Sequence, residues 1–92
     1  MTNLEAFTAR LRAVTAALAP TVGQACAEEC ARSIAGILAD GSENASRAIG
    51  VTIAHRVAHP LTYGWQWADV SQGRERRAMT TAAVAAWKGG AT

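Results

Sequence analysis

Two prolines, two cysteines and five aromatic residues (one Phe, one Tyr and three Trp) are all that stand in 92 residues. Two thiols make no disulfide framework. Cys26 and Cys30, four apart within a helical pattern, are also poorly placed to bond to each other. No apolar run approaches the ~20 residues that a membrane span needs, which excludes an integral helical membrane protein. Residues 1–19 lack a basic start followed by an apolar block, which argues against a secretory signal. The expected compartment is therefore the cytoplasm. The net charge of +2 is too small to signal nucleic-acid binding by itself. No short helix pair offers a polar recognition face for DNA. The seven carboxylates are scattered, no Ser or Cys has a base in a recognisable motif, and Ala35-Gly36 lies in mid-helix rather than in a phosphate loop. The expectation is a chain that is not an enzyme and has no cofactor.

Alanine is what the chain has in excess. Half of the 92 residues are apolar, and 22 residues are Ala. Small side chains let helix axes approach closely, but each buries little area, and apolar burial stabilises by roughly 25 cal/mol per Å². Residues 1–92 therefore read as a single helical domain with a thin core, for which a homo-oligomer is the expected route to stability. Eight of the nine bases are Arg, and the charge is uneven. Residues 1–45 hold three Arg against five acids, a net of −2, whereas residues 46–92 hold five Arg and Lys88 against two acids, a net of +4. An anionic partner belongs with the second half.

Four helices are predicted. Thr2 followed by Glu5 fits a capping box, and Leu4, Phe7, Leu11, Val14 and Leu18 then repeat at spacings of 3 and 4. Pro20 is expected to end this helix or open the next. A second helix spans about residues 21–39, with Val22, Cys26, Cys30, Ile34, Ile37 and Leu38 inward, and Asp40-Gly41 stops it. Ser42 is expected to cap a third helix over about residues 43–58, which Pro60 ends. Its inner face is Ala45, Ala48, Ile49, Thr52, Ile53 and Val57, and its short link to the second helix implies an antiparallel pair. Over residues 59–70, Leu61, Tyr63, Trp65 and Trp67 alternate with Thr62, Gly64, Gln66 and Ala68, a period of two that predicts an extended segment with one aromatic face. The last helix starts at Asp69 or Ser71, turns Met79, Ala82, Ala83, Ala86 and Trp87 inward, and closes at Gly89-Gly90. The predicted fold class is all-α: a small antiparallel bundle of about four helices with a short extended aromatic segment.

Two constellations carry chemistry. The first is an anion site built from His55, Arg56, His59, Tyr63, Trp65, Trp67, Arg74, Arg76 and Arg77. Arg offers bidentate hydrogen bonds to phosphate, Trp and Tyr offer a stacking face to a base, and the start of the last helix favours a negative group. Three cations at a helix start oppose the macrodipole, so a ligand would explain them. The alternative is that the aromatics are core or interface anchors and the Arg run is a solvated face. The second constellation is metal-binding: Cys26 and Cys30 on one helix and His55 and His59 on the next, both spaced i, i+4, could converge on zinc. The same spacing also fits plain helix periodicity, with buried thiols on the apolar face.

Ala68-Asp69-Val70-Ser71-Gln72-Gly73-Arg74-Glu75-Arg76, with Thr81, Ala86 and Trp87 further on, resembles the last helix of small phage sponge proteins. These helical-hairpin proteins sequester the cyclic-nucleotide messengers of CBASS and Thoeris defence. The likeness spans about 20 residues, and Gly73 stands where those proteins carry Ser. It implies an oligomeric, phage-type binder of a cyclic nucleotide, with Arg74 as a phosphate contact and Thr81 beside it.

The functional expectation is a non-enzymatic helical homo-oligomer that sequesters an anionic, nucleotide-like ligand. Arg74, Arg76 and Arg77 would supply charge, Tyr63, Trp65 and Trp67 stacking, and His59 and Thr81 further contacts. The alternative is a phage-type inhibitor that blocks a host defence protein through its aromatic and Arg surface, for which Trp, Tyr and Arg are the enriched contact types. Membrane and nucleic acid are not expected partners.

Overall fold

The computed structural model describes residues 2–41 and 43–90. Four helices of 14 to 20 residues build it: α1 (Asn3–Val22), α2 (Gln24–Asp40), α3 (Ala45–Ala58) and, after a one-turn helix α4 (Pro60–Tyr63) and a 3₁₀ turn (Trp65–Asp69), α5 (Arg74–Gly89). Helix α1 packs on α2 and α5, and α3 packs on α2 and α5, so the four close a ring around one core. Among the described residues there is no strand, and no helix is long and apolar enough to cross a membrane.

The start of α1 follows the sequence signal. The Glu5 N–H donates to Thr2 Oγ1 at 3.1 Å and the Thr2 N–H donates to Glu5 Oε1 at 3.4 Å, which closes the capping box. Pro20 does not end the helix. It lies inside α1, which runs on to Val22, and the Gly23 N–H still reaches the Ala19 carbonyl at 2.8 Å. The proline removes one donor, whose usual acceptor four residues back belongs to Ala16, and both residues are exposed. The break comes at Gly23, whose φ of +86° reverses the chain in a single residue. Val22 therefore closes α1 rather than opening α2.

Gly41 ends α2 in the left-handed conformation, as Asp40-Gly41 predicts. Ser42, the expected cap of the third helix, lies outside the described residues. The N-cap of α3 is Asn44, whose side chain accepts from the Arg47 N–H at 2.9 Å.

The core is Val14, Leu18 and Val22 of α1, Ala27, Cys30 and Ile34 of α2, Ala48, Ile49, Ile53 and Val57 of α3, Met79 and Ala83 of α5, with Trp67 and Val70 between the last two helices. The α1 stripe divides along its length: Val14 and Leu18 are fully buried, Phe7 meets Trp87 edge-on at 5.7 Å, and Leu4 is 74% exposed.

The segment expected to be extended is helical. Alternation gives way to one α-turn and one 3₁₀ turn with Gly64 between them at φ +138°. Pro60 occupies the first turn of α4, where its missing N–H costs nothing. The three aromatics consequently point three ways: Trp67 is fully buried, Tyr63 is half-buried, and Trp65 is 73% exposed. Helix α5 begins at Arg74, later than expected, because residues 69–73 complete the turn that returns the chain to the bundle.

Candidate functional site

The polar centre of the molecule joins α2, α3 and α4. Arg56 falls on the inner face of α3, one turn beyond Thr52 and Ile53, and its side chain is almost wholly buried. A buried guanidinium needs partners for its donors, and α2 supplies them. Arg56 Nε donates to Glu29 Oε1 at 2.8 Å, Nη2 donates to Glu29 Oε2, and Nη2 also donates to Ser33 Oγ at 2.7 Å. Nη1 donates to the Thr52 carbonyl at 3.3 Å. The guanidinium carbon lies 4.1 Å from the centre of the Tyr63 ring, a cation–π contact.

This arrangement sets the local charge. Hydrogen bonds from Arg56 hold the Glu29 carboxyl below its ordinary value against the opposing effect of its own burial. Burial alone would weaken the proton on Arg56, but the Glu29 hydrogen bonds and charge outweigh it and the guanidinium is held more firmly. Both groups are ionised at neutral pH, and the buried cation is already neutralised.

His55 and His59 lie outward of this pair. Their rings are 4.5 Å apart, and His55 meets the Tyr63 ring edge-on at 5.3 Å. Together with Ser33, Gly36, Ile37, Asp40, Val51 and Thr52 of α2 and α3, His55, Arg56 and Tyr63 line an open groove of about 550 Å³.

The residues expected to form one anion site are therefore distributed. His59 and Tyr63 stay with His55 and Arg56, but the Tyr63 ring carries the Arg56 guanidinium. Trp67 is locked in the core and presents no stacking face, while Trp65 faces solvent. Arg74 and Arg77 are exposed on α5, and Arg76 Nε donates to the Gln72 carbonyl at 2.7 Å. Thr81 lies further along α5 in a shallow recess of about 400 Å³ shared with Ser46, Thr80, Val84, Ala85 and Lys88.

The zinc constellation does not assemble. Cys26 turns its thiol to the Tyr63 carbonyl at 3.8 Å and Gln66 Oε1 at 3.6 Å. Cys30 is fully buried, and burial pushes its thiol pKa up to about 12. Among the described residues no group of three or more His, Cys, Asp or Glu is placed to hold a metal ion.

The second feature is a knuckle, residues 60–69, which packs on α3 and α1 and carries two exposed apolar side chains. Leu61 is 79% exposed and Trp65 73% exposed, one on each side of Gly64. Three contacts fix it: Trp67 in the core, Tyr63 under Arg56, and the Cys26 thiol against its backbone. Sequence reasoning placed Trp65 and Trp67 on one face and so missed that one anchors the other. It also left Glu29 outside the inner line of α2. The available signal was Arg56, which falls at inward helical spacing from Ile49, Thr52 and Ile53 and demands an acid.

No protein-family model, curated protein sequence or solved structure matches the chain.

Proposed function

We propose that this chain is a non-enzymatic binding protein whose contact element is the Leu61–Trp65 knuckle, and that its partner is another protein. The observation that carries this reading is the exposure of two large apolar side chains on a segment anchored by the buried Trp67. An exposed Trp on a mobile loop loses much of its contact energy to ordering, whereas one held by a buried neighbour does not. Trp is among the residue types that dominate contact energies, and Arg is another. The basic half of the chain contributes Arg74 and Arg77, both exposed, as charges that steer an acidic partner.

A second reading keeps the nucleotide-like ligand. It is supported by Arg74 at the first turn of α5, whose N-cap Gly73 makes no side-chain cap, and by the likeness of this helix to the phage sponges. The stacking part of that reading then rests on Trp65 alone, since Trp67 is buried and Tyr63 holds Arg56.

One comparison separates the two. The wild-type chain and its Trp65→Ala, Leu61→Ser and Arg74→Ala variants are immobilised, and retained proteins and nucleotides are identified by mass spectrometry. The protein-partner reading expects a stoichiometric protein lost with both Trp65→Ala and Leu61→Ser. A retained nucleotide lost with Arg74→Ala, and no retained protein, transfers the conclusion to the ligand reading. A protein whose retention ignores Trp65 and Leu61 overturns the knuckle as the contact.

A further inference from the structure

The outer face of the α1–α2 hairpin leaves a groove open between the two helices. On α1 the residues Leu4, Thr8, Leu11 and Thr15 recur at spacings of 4, 3 and 4, and on α2 the residues Gln24, Glu28, Ala31 and Ala35 do the same. Leu4 and Leu11, two helical turns apart, are the large apolar side chains of the α1 line. On α1 these positions lie apart from the inward stripe of Val14, Leu18 and Val22, while Ala31 of α2 is buried at the floor of the hairpin. Thr8, Leu11, Thr15, Glu28, Ala31 and Ala35 border an open groove of about 520 Å³ between the two helices. A second recess of about 430 Å³, lined by Leu4, Glu5, Thr8, Ala9 and Arg12, shares Thr8 and Arg12 with it and continues it toward the start of α1.

Some polar groups on this face are satisfied at home, and the two guanidinium groups of Arg12 and Arg32 also line the groove. Thr15 Oγ1 donates to the Leu11 carbonyl at 2.9 Å, and Gln24 Nε2 donates to Glu28 Oε1 at 2.8 Å. Covering Thr15, Gln24 and Glu28 therefore strands few unpaired groups, whereas a covered Arg12 needs an acid from the partner. The small side chains of Thr8, Ala9, Ala16, Ala31 and Ala35 permit close approach of a further helix, while Leu4 supplies an unburied knob at 74% exposure.

We infer that a second copy of this chain occupies the face, with α1 packed antiparallel on its counterpart about a two-fold axis near Thr8. The charges choose the occupant. Glu5 and Arg12 are both exposed and lie seven residues apart, two helical turns on one side of α1, with Thr8 about midway. An antiparallel copy centred on Thr8 sets each Arg12 opposite the other copy's Glu5, so the face complements itself, as a two-fold contact requires. A parallel copy would set like charges together. This surface is separate from the Leu61–Trp65 knuckle, and the inference stands or falls without that reading.

The test mixes two charge variants. Arg12→Glu makes this face of α1 acidic, and Glu5→Lys makes it basic. Glu5→Lys also removes the capping-box acceptor of the Thr2 N–H, so Glu5→Gln serves as the control that keeps an acceptor there. Sedimentation equilibrium, with circular dichroism to confirm folding, is expected to show a wild-type dimer and a dissociation constant raised roughly tenfold or more in each variant alone. An equimolar mixture of the two is expected to recover wild-type association as a heterodimer. A Thr8→Cys variant is expected to cross-link into a covalent dimer under mild oxidation, beyond any background of the wild-type chain with the same oxidant. A wild-type chain that stays monomeric to 100 μM or so overturns the proposal. So does a dimer that ignores both charge changes, or one that is lost instead with Trp65→Ala.

Discussion

Arg56 and Glu29, 27 residues apart in the chain, meet as a two-pronged ion pair that ties α3 to α2 beneath the Tyr63 ring. The contact belongs to the core as much as to the surface, since the Arg56 side chain is 5% exposed and the Glu29 side chain 34%. Its strongest consequence appears on removing one partner. Glu29→Ala leaves a buried guanidinium with only Ser33 and a backbone carbonyl, and is expected to destabilise the fold by about 2–3 kcal/mol. That lies below the ~3–5 kcal/mol of fully buried pairs because water reaches Glu29. Urea unfolding of the variant against wild type measures it.

The same pair makes stability depend on pH in one direction. The folded-state pKa of Glu29 is lowered, chiefly by the Arg56 hydrogen bonds, from an ordinary value near 4.5. Above pH 4.5 the carboxylate is ionised in folded and unfolded chains alike, and the pair contributes fully. As pH falls below that value the unfolded chain takes up the proton first, and stability drops until the folded-state pKa is passed. Thermal melts between pH 7 and pH 3 are expected to show this loss in wild type and a shallower slope in Glu29→Gln.

What the sequence made legible was periodicity. The inner face of α3, the Met79 and Ala83 positions of α5, the capping box at Thr2 and Glu5 and the stop at Gly41 follow from spacing and local sterics, which act within a few residues. Ala82, expected inward, is exposed. The misplaced features depend on contacts distant in sequence. Pro20 stays inside α1 because its missing hydrogen bond falls on an exposed turn, and Gly23 supplies the sharper break. Alternating aromatics at 63, 65 and 67 read as a strand, yet Gly64 and the burial of Trp67 coil them into two turns. The Arg56–Glu29 pair joins two helices, and no single-helix pattern reports it.

Trp65 and Trp67 differ by two positions and should differ sharply in cost. Trp67 is the largest of the fully buried side chains, so Trp67→Ala is expected to cost about 3–5 kcal/mol. Trp65→Ala removes a solvent-facing side chain and is expected to change stability by no more than about 0.5 kcal/mol. Paired denaturant titrations check both values, and equal losses would mean that the knuckle does not anchor through Trp67.

The two thiols should react at different rates. Cys30 is fully buried and its pKa is raised to about 12 by burial, so it holds almost no thiolate at pH 8. Cys26 is half-buried at the knuckle. Brief alkylation of the native chain with iodoacetamide, followed by peptide mapping, is expected to label Cys26 and leave Cys30 untouched. Labelling of both should require denaturant, and early labelling of Cys30 would show that α2 opens readily.

Gly64 links the fold to the proposed contact. Its φ of +138° is a conformation that side chains strain to adopt, and a Cβ there would lie 2.8 Å from the Cys26 sulfur and 3.1 Å from Gln66 Oε1. The sulfur sits on a half-buried side chain packed against the core, so it cannot simply swing away. Gly64→Ala is therefore expected to cost about 1–3 kcal/mol and to shift α4 relative to the 3₁₀ turn. Because Leu61 lies before the glycine and Trp65 after it, that shift changes the angle between the two exposed side chains. A partner that reads both should bind Gly64→Ala more weakly than wild type even at a temperature where the variant is fully folded. Binding measured alongside circular dichroism separates the two effects: affinity lost in proportion to the unfolded fraction would make Gly64 a stability residue alone, whereas loss in a folded variant ties the knuckle's shape to recognition.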